Sequence, residues 1–243
     1  MADNRLIDKF RGLVVRSRRV VFLTGAGIST ESGIPDFRSS SGIYADPANR
    51  NIFEIDSFLR DPSPFWRFSA GFLSLLEKAR PNAAHLAIAR LQDTREVTVV
   101  TQNIDDLHLK AGSRTVRRVH GSFESSRCLR CGRRVKTAEL YPAVLRGETP
   151  KDGCGGFFKP EVTFFGEMLP PEEWEGSCRA VEEADLLCVV GSSLVVYPAA
   201  ALPLRRRTGC GLVIVNREPT PQDRDADLVI NAGAGEVFQR LEV

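Results

Sequence analysis

Five short apolar runs constrain the fold more than any other feature of this chain: residues 20–24, 97–101, 116–119, 186–190 and 212–215, with a weaker sixth at 227–230. They are rich in Val, Leu and Ile, as strands must be when both faces of their sheet are covered. Helical patterns lie between them, at 81–91, 172–183 and 198–206, two of which carry a proline in the first turn. Strand alternating with helix implies a doubly wound parallel sheet of Rossmann-like α/β type. A chain of 243 residues is long enough to bury such a core.

Two stretches break the rhythm. Residues 39–80 mix Pro, Asp and aromatics and are expected to form a partly helical excursion. Residues 123–159 carry Cys128, Cys131 and Cys154 among glycines and charges, with little apolar periodicity. Such a segment needs a metal or a parent domain to hold it, and reads as a small inserted, zinc-ribbon-like cysteine module. The large domain is then 1–38, 81–122 and 160–243, within one catalytic unit spanning 1–243. A formal net charge of +2 gives no footprint for nucleic acid, and the short arginine runs read as solvated faces. No segment reaches the ~20 apolar residues of a membrane span, and no secretory leader is legible, so a cytoplasmic location with reduced thiols is expected. Cys178, Cys188 and Cys210 lack partner spacing and read as buried, inert thiols.

In open α/β sheets ligands sit beyond the carboxyl ends of the strands. Here those ends run into Gly25-Ala26-Gly27, Gln102-Asn103-Ile104-Asp105, His120-Gly121, Gly191-Ser192-Ser193 and Asn216. Glycines and small polar groups converging on one edge describe a nucleotide site, with the first loop aiming backbone amides at a pyrophosphate. The dinucleotide fingerprint G-x-G-x-x-G nevertheless fails at Thr30, and no acidic residue follows a second strand to grip a ribose. That argues against an ordinary hydride-transfer enzyme, the weakest of the alternatives. Of the three histidines, His85 and His108 read as structural, whereas His120 stands beside a glycine at a strand's carboxyl end and suits a general base or a core hydrogen-bonding role.

Taken together, 25-GAGIS-29, 32-SGIPDFR-38, 101-TQNID-105, His120-Gly121, Phe165-Gly166-Glu167 and 191-GSSL-194 resemble, in order, the signature of the sirtuins, NAD-dependent protein deacylases. The resemblance runs from about residue 5 to 240. It implies that Ala26, Arg38, Gln102, Ser192 and Asn216 contact NAD, within a cofactor set of Gly25, Gly27, Thr30, Phe37, Gly191, Ser193 and Glu218. Asn103, Ile104 and Asp105 would line a nicotinamide pocket. Val162, Phe165, Gly166, Glu167, Leu194, Val195 and Val196 would bracket an acyl-lysine peptide as an added strand. His120, with Asn103 and Asp105, would carry catalysis, and nicotinamide would leave as product.

The chain departs from the family pattern at the metal module. One Cys-x-x-Cys pair is intact, but Lys151 stands where the second pair expects a cysteine, and an ammonium has no lone pair for zinc. Cys128, Cys131 and Cys154 with Asp152 or a water can hold zinc; packing alone is the alternative. Asp106 stands where the family more often has glycine. The Tyr-x-x-Arg pair of desuccinylating sirtuins maps to Ser69 and Phe72, which implies acetyl or longer apolar acyl groups. Competing functions are an NAD glycohydrolase or mono-ADP-ribosyltransferase, for which the peptide-binding stretches are superfluous, and a non-catalytic NAD-sensing module, for which His120 is superfluous.

Overall fold

The computed structural model describes residues 3–241. They fall into two compact units, one formed by residues 3–35, 80–119 and 171–241, the other by Asp36–Ala79 and His120–Pro170.

The first unit contains a six-stranded sheet, entirely parallel, built from β1 (Arg19–Thr24), β2 (Glu96–Thr101), β3 (Val116–Arg118), β7 (Leu186–Val190), β8 (Gly211–Val215) and β9 (Leu228–Ile230). Their order is β3-β2-β1-β7-β8-β9, so the direction of winding reverses between β1 and β7. Alternate residues explain why the strands are apolar throughout. Val20, Phe22, Val99, Cys188, Val190, Val213 and Val215 enter a core shared with the buried faces of α1 (Asn4–Arg16), α4 (Ala83–Leu91) and α8 (Ala234–Arg240). The intervening Val21, Leu23, Val100, Leu187, Val189 and Ile214 are buried as well. Each fully buried side chain of this size contributes about 1.5–3 kcal/mol.

Local chemistry sets the helix ends. Asp3 caps α1 by accepting from the Arg5 amide at 2.9 Å, and the spacing of Ile7, Phe10 and Val14 gives that helix one apolar face. Asn82 caps α4, with its Oδ1 accepting from the Ala84 amide. The segment expected as a helix at 198–206 is a 3-10 helix, Ala199–Arg205, because Pro203 inside it cannot donate to an α-helical ladder. Among the described residues, no helix is long and apolar enough to cross a membrane.

The second unit holds a three-stranded antiparallel sheet, β5-β4-β6, from β4 (Gly121–Cys128), β5 (Arg134–Lys136) and β6 (Phe158–Val162). It also contains α2 (Ile55–Arg60), α3 (Ser63–Lys78) and α6 (Tyr141–Leu145). The helical excursion and the cysteine-bearing insertion, two separate departures in the sequence, share one aromatic core here. Phe53 packs edge-on against Phe65, Phe68 and Phe164 at 5.7–5.8 Å, and Phe65 stacks on Phe123. Residues 160–170 belong to this unit as well.

Candidate active site and metal centre

In the first unit the site is built where β1 and β7 part, the switch point at which doubly wound sheets bind ligands. Gly25 and Gly27 are there because backbone passes backbone. A Cβ on either would lie 2.8 Å from Gly191, and one on Gly191, at φ +62°, would lie 2.2 Å from the Ile28 amide. Their amides donate to the carbonyls of Val190 and Gly191 at 3.1 and 2.9 Å. The glycines let the loop pass this close to β7, and two 3-10 turns follow it in place of the long helix of an ordinary dinucleotide fold. Thr30 turns its hydroxyl onto the Gly27 carbonyl at 3.0 Å.

Across the same junction Gln102 donates through Nε2 to Ser192 Oγ at 2.9 Å, so the ends of β2 and β7 are tied together. Beside it lies a buried polar chain. Asn103 Nδ2 donates to Ser29 Oγ at 3.1 Å, and that hydroxyl donates to Asp105 Oδ2 at 2.9 Å. The Leu107 amide donates to the other carboxylate oxygen at 3.0 Å. Burial pushes the Asp105 carboxyl up, against the lowering effect of the Leu107 and Ser29 hydrogen bonds. Ile104, between them, is half-buried.

Ser193 is exposed, while Leu194 is buried and holds φ +54°, a left-handed conformation that leucine seldom adopts. Strain of that kind concentrates where a chain must present itself to a ligand. Val195 follows, 46% exposed, with Val196 half-buried. At the end of β8, Asn216 donates through Nδ2 to the Glu218 carbonyl at 2.8 Å.

In the second unit Asp36 organises the loop bearing Phe37 and Arg38. Its carboxylate accepts from the amides of Arg38 and Ser39, and Phe37 packs against Tyr44 and Phe53 at 5.6 Å. Burial pushes the Tyr44 hydroxyl up to about 12, so it stays protonated. His120 is half-buried, and its carbonyl accepts from the Thr163 amide at 2.9 Å, which ties it to the segment carrying the expected peptide-binding residues. Val162 ends β6 in the interior, whereas Phe165 and Gly166 are exposed, Gly166 at φ +91°. Glu167 reaches back to accept from the Phe164 amide at 2.8 Å.

The same unit gathers the cysteines. Sγ of Cys128, Cys131 and Cys154 and a carboxylate oxygen of Asp152 all lie within 4.8 Å of one another. Cys128 and Cys154 sulfurs are 3.5 Å apart, near the roughly 3.8 Å that tetrahedral zinc with bonds of about 2.3 Å requires. Gly156 must be glycine here, since a Cβ would stand 2.7 Å from the Cys128 sulfur. Backbone amides of Cys131 and Arg130 hold the Cys128 thiol below its ordinary range, whereas the Asp152 carboxylate beside Cys131 pushes that thiol up to about 12. Asp152 is buried to 5% exposure and salt-bridged to Arg133 at 2.7 Å. Lys151 lies over the Phe157 ring at 4.8 Å. The donor set fits zinc, with Asp152 in place of the missing cysteine.

A family model described as Sir2 family matches residues 25–198. The chain belongs to the Sir2 family. It is 42% identical to an NAD-dependent protein deacetylase of Thermotoga maritima, over 97% of this chain and 96% of that one. It is 40% identical to an NAD-dependent protein deacylase of Mycobacterium tuberculosis, over 92% and 96%. A solved Sir2 protein carrying a deacetylated p53 peptide and 3'-O-acetyl-ADP-ribose superposes with a TM-score of 0.92 at 41% identity, over 97% of this chain and 96% of that one. Another, bound to a propionylated peptide, does so with a TM-score of 0.88 at 40% identity and the same coverage. For a Sir2 chain, sequence reasoning overlooked Ser29, the hinge of the Asn103–Asp105 chain, and Lys159, buried beneath Glu167. Ser29 stood inside the quoted signature, but a serine's partner is invisible until the loops are folded.

Proposed function

We propose that this chain is an NAD-dependent protein lysine deacylase, acting first as a deacetylase. The observation that carries the reading is its 42% identity over nearly its whole length to an enzyme of that name, with His120, Asn103 and Asp105 all present. NAD is the co-substrate, its ADP-ribose the acyl acceptor, and an acyl-lysine side chain the acyl donor, with no role for nucleic acid or membrane. The two units act as one catalytic unit.

The reaction is a displacement at the ribose carbon bearing nicotinamide. The acyl-lysine amide oxygen forms the new bond as the bond to nicotinamide breaks. Asn103, Ile104 and Asp105 receive the departing nicotinamide, the buried Asn103–Ser29–Asp105 chain fixing that pocket in advance. Phe37 covers the ribose and excludes water, which favours acyl transfer over hydrolysis. His120 then takes the proton of a ribose hydroxyl, whose oxygen attacks the former amide carbon; the lysine amine leaves, and one water, admitted only after nicotinamide has gone, adds at that carbon to give acylated ADP-ribose. Ala26, Gln102, Ser192, Arg38, Asn216 and Glu218 hold NAD, with Gly25, Gly27, Thr30, Gly191 and Ser193 completing the set that contacts it.

Val162, Phe165, Gly166, Glu167 and Leu194, Val195 and Val196 bracket the peptide. Ser69 is fully buried with its hydroxyl on the Phe65 carbonyl, and Phe72 is buried too, so neither offers a cation to an acyl carboxylate. Deacetylation therefore outruns desuccinylation on matched peptides. Zinc, where bound by Cys128, Cys131, Cys154 and Asp152, supports the fold and takes no part in the chemistry. A cytoplasmic location, where thiols stay reduced and free to hold zinc, is part of the same proposal. Nicotinamide release measured with and without an acetyl-lysine peptide tests the reading: release that needs the peptide supports it, and equal release without peptide makes the chain a glycohydrolase.

A further inference from the structure

Lys159 is 7% exposed, an unusual setting for an ammonium, and every donor it carries is used. Its Nζ donates to the Val162 carbonyl at 2.7 Å and to the Pro160 carbonyl at 3.3 Å, and pairs with Glu167 Oε2 at 2.8 Å. The ammonium also sits 4.2 Å from the centre of the Phe164 ring. Glu167 Oε2 simultaneously accepts from the Phe164 amide, and the Glu167 amide donates back to the Phe164 carbonyl at 3.0 Å. The outer side of the same segment is fixed differently. Phe165 exchanges backbone hydrogen bonds with Phe53 and Ile55, at 2.8 and 3.0 Å, and Thr163 donates to His120.

The chain from 162 to 167 is thus held from beneath by one cation that touches its first and last residues. Between those two grips stand Phe165 and Gly166, both exposed, with the Phe165 amide and carbonyl engaged by Phe53 and Ile55. An extended peptide that adds as a strand depends on the edge being straight and correctly turned, since its main-chain hydrogen bonds supply the affinity. A buried ion pair whose carbonyl contacts are complete specifies one arrangement more than it adds stability.

We propose that Lys159 is a positioning residue for peptide binding: through Val162 and Glu167 it sets the 162–167 segment in the shape that receives the acyl-lysine strand. The inference rests on the deacylase reading. It assigns Lys159 no contact with peptide, NAD or the reacting atoms.

The test compares wild type with Lys159→Met and Lys159→Arg, measuring KM for an acetyl-lysine peptide, KM for NAD, and kcat. Binding of a fluorescent acetyl-lysine peptide without turnover is followed in parallel. Lys159→Met is expected to raise both peptide KM and peptide Kd about tenfold, which corresponds to about 1.4 kcal/mol, with KM for NAD within about twofold. Lys159→Arg, keeping charge and donors, is expected to recover most of the loss. A purely structural lysine would lower melting temperature and active fraction yet leave peptide KM and Kd of the folded protein unchanged, and that result overturns the proposal. If Lys159→Met does not fold, Glu167→Gln severs the same pair, and unaltered peptide Kd there overturns it equally. Wild type that binds the peptide without NAD-dependent turnover defeats the deacylase reading while the Kd comparison still decides the role of Lys159.

Discussion

Replacing Ser29 by alanine removes one hydroxyl and leaves two buried polar groups without their shared partner. Ser29 is 1% exposed, Asn103 7% and Asp105 9%, so water does not readily take its place. Each of these two hydrogen bonds is worth about 1 kcal/mol, and a buried polar group left unsatisfied costs about 1–3 kcal/mol. Together they give about 3 kcal/mol, which lowers the melting temperature of a chain this size by about 9 °C. The structure supplies its own control in Ser113, 5% exposed, whose hydroxyl meets no hydrogen-bond partner among the described residues. Ser113→Ala should change stability by no more than about 0.5 kcal/mol. Thermal denaturation of both variants measures stability, and nicotinamide release at saturating peptide measures function. Ser29→Ala should also lose at least about tenfold in rate, because misplacing a pocket group by small distances is costly. Equal melting temperatures for the two variants, or unaltered nicotinamide release by Ser29→Ala, would refute the claim that this chain of hydrogen bonds organises the pocket.

Other consequences follow from the same geometry. His120→Ala should keep NAD affinity and lose about 10²–10⁴-fold in turnover, the usual worth of a general base; titration calorimetry with NAD beside a rate assay checks both. Burial holds His85 down to about 4 and His108 well below its ordinary value, so both are neutral in the fold, whereas the unfolded chain binds their protons at about 6.5. Their contribution to stability is therefore complete above about pH 6.5 and falls as pH drops toward 4, which urea denaturation across pH 7.5 to 4.5 should show and which His108→Gln should flatten. Metal analysis should find about one zinc per chain, bound at least tenfold more weakly in Asp152→Ala; less than about a tenth of a zinc per chain would mean packing alone holds the module. Gly191→Ala should abolish folding or NAD binding, because its Cβ would lie 2.2 Å from the Ile28 amide, at a left-handed φ that glycine favours; circular dichroism distinguishes this from a tolerated change.

The parallel sheet was legible because its strands are buried on both faces, leaving uninterrupted apolar runs such as 186–190 that no amphipathic alternative produces. Ligand-edge residues followed from strand ends. What the sequence hid depends on pairings between distant residues. The shared core of Phe53, Phe65, Phe123 and Phe164 joins the excursion to the insertion, and no local period announces it. Gly25 and Gly27 were legible as a close-approach loop, but not that the backbone they approach is that of Gly191, more than a hundred and sixty positions away. Asp152 was one candidate among two for the fourth ligand until the turn at 152–156 brought its carboxylate to the thiols.

The most direct test of deacylation follows the acyl group itself. Protein is incubated with NAD and a peptide whose lysine carries an isotopically labelled acetyl group, and products are weighed by mass spectrometry. The account predicts the label on ADP-ribose, with one free lysine and one nicotinamide for each acetyl moved. Label remaining on the peptide while nicotinamide accumulates, or label released as acetate with NAD intact, would contradict it.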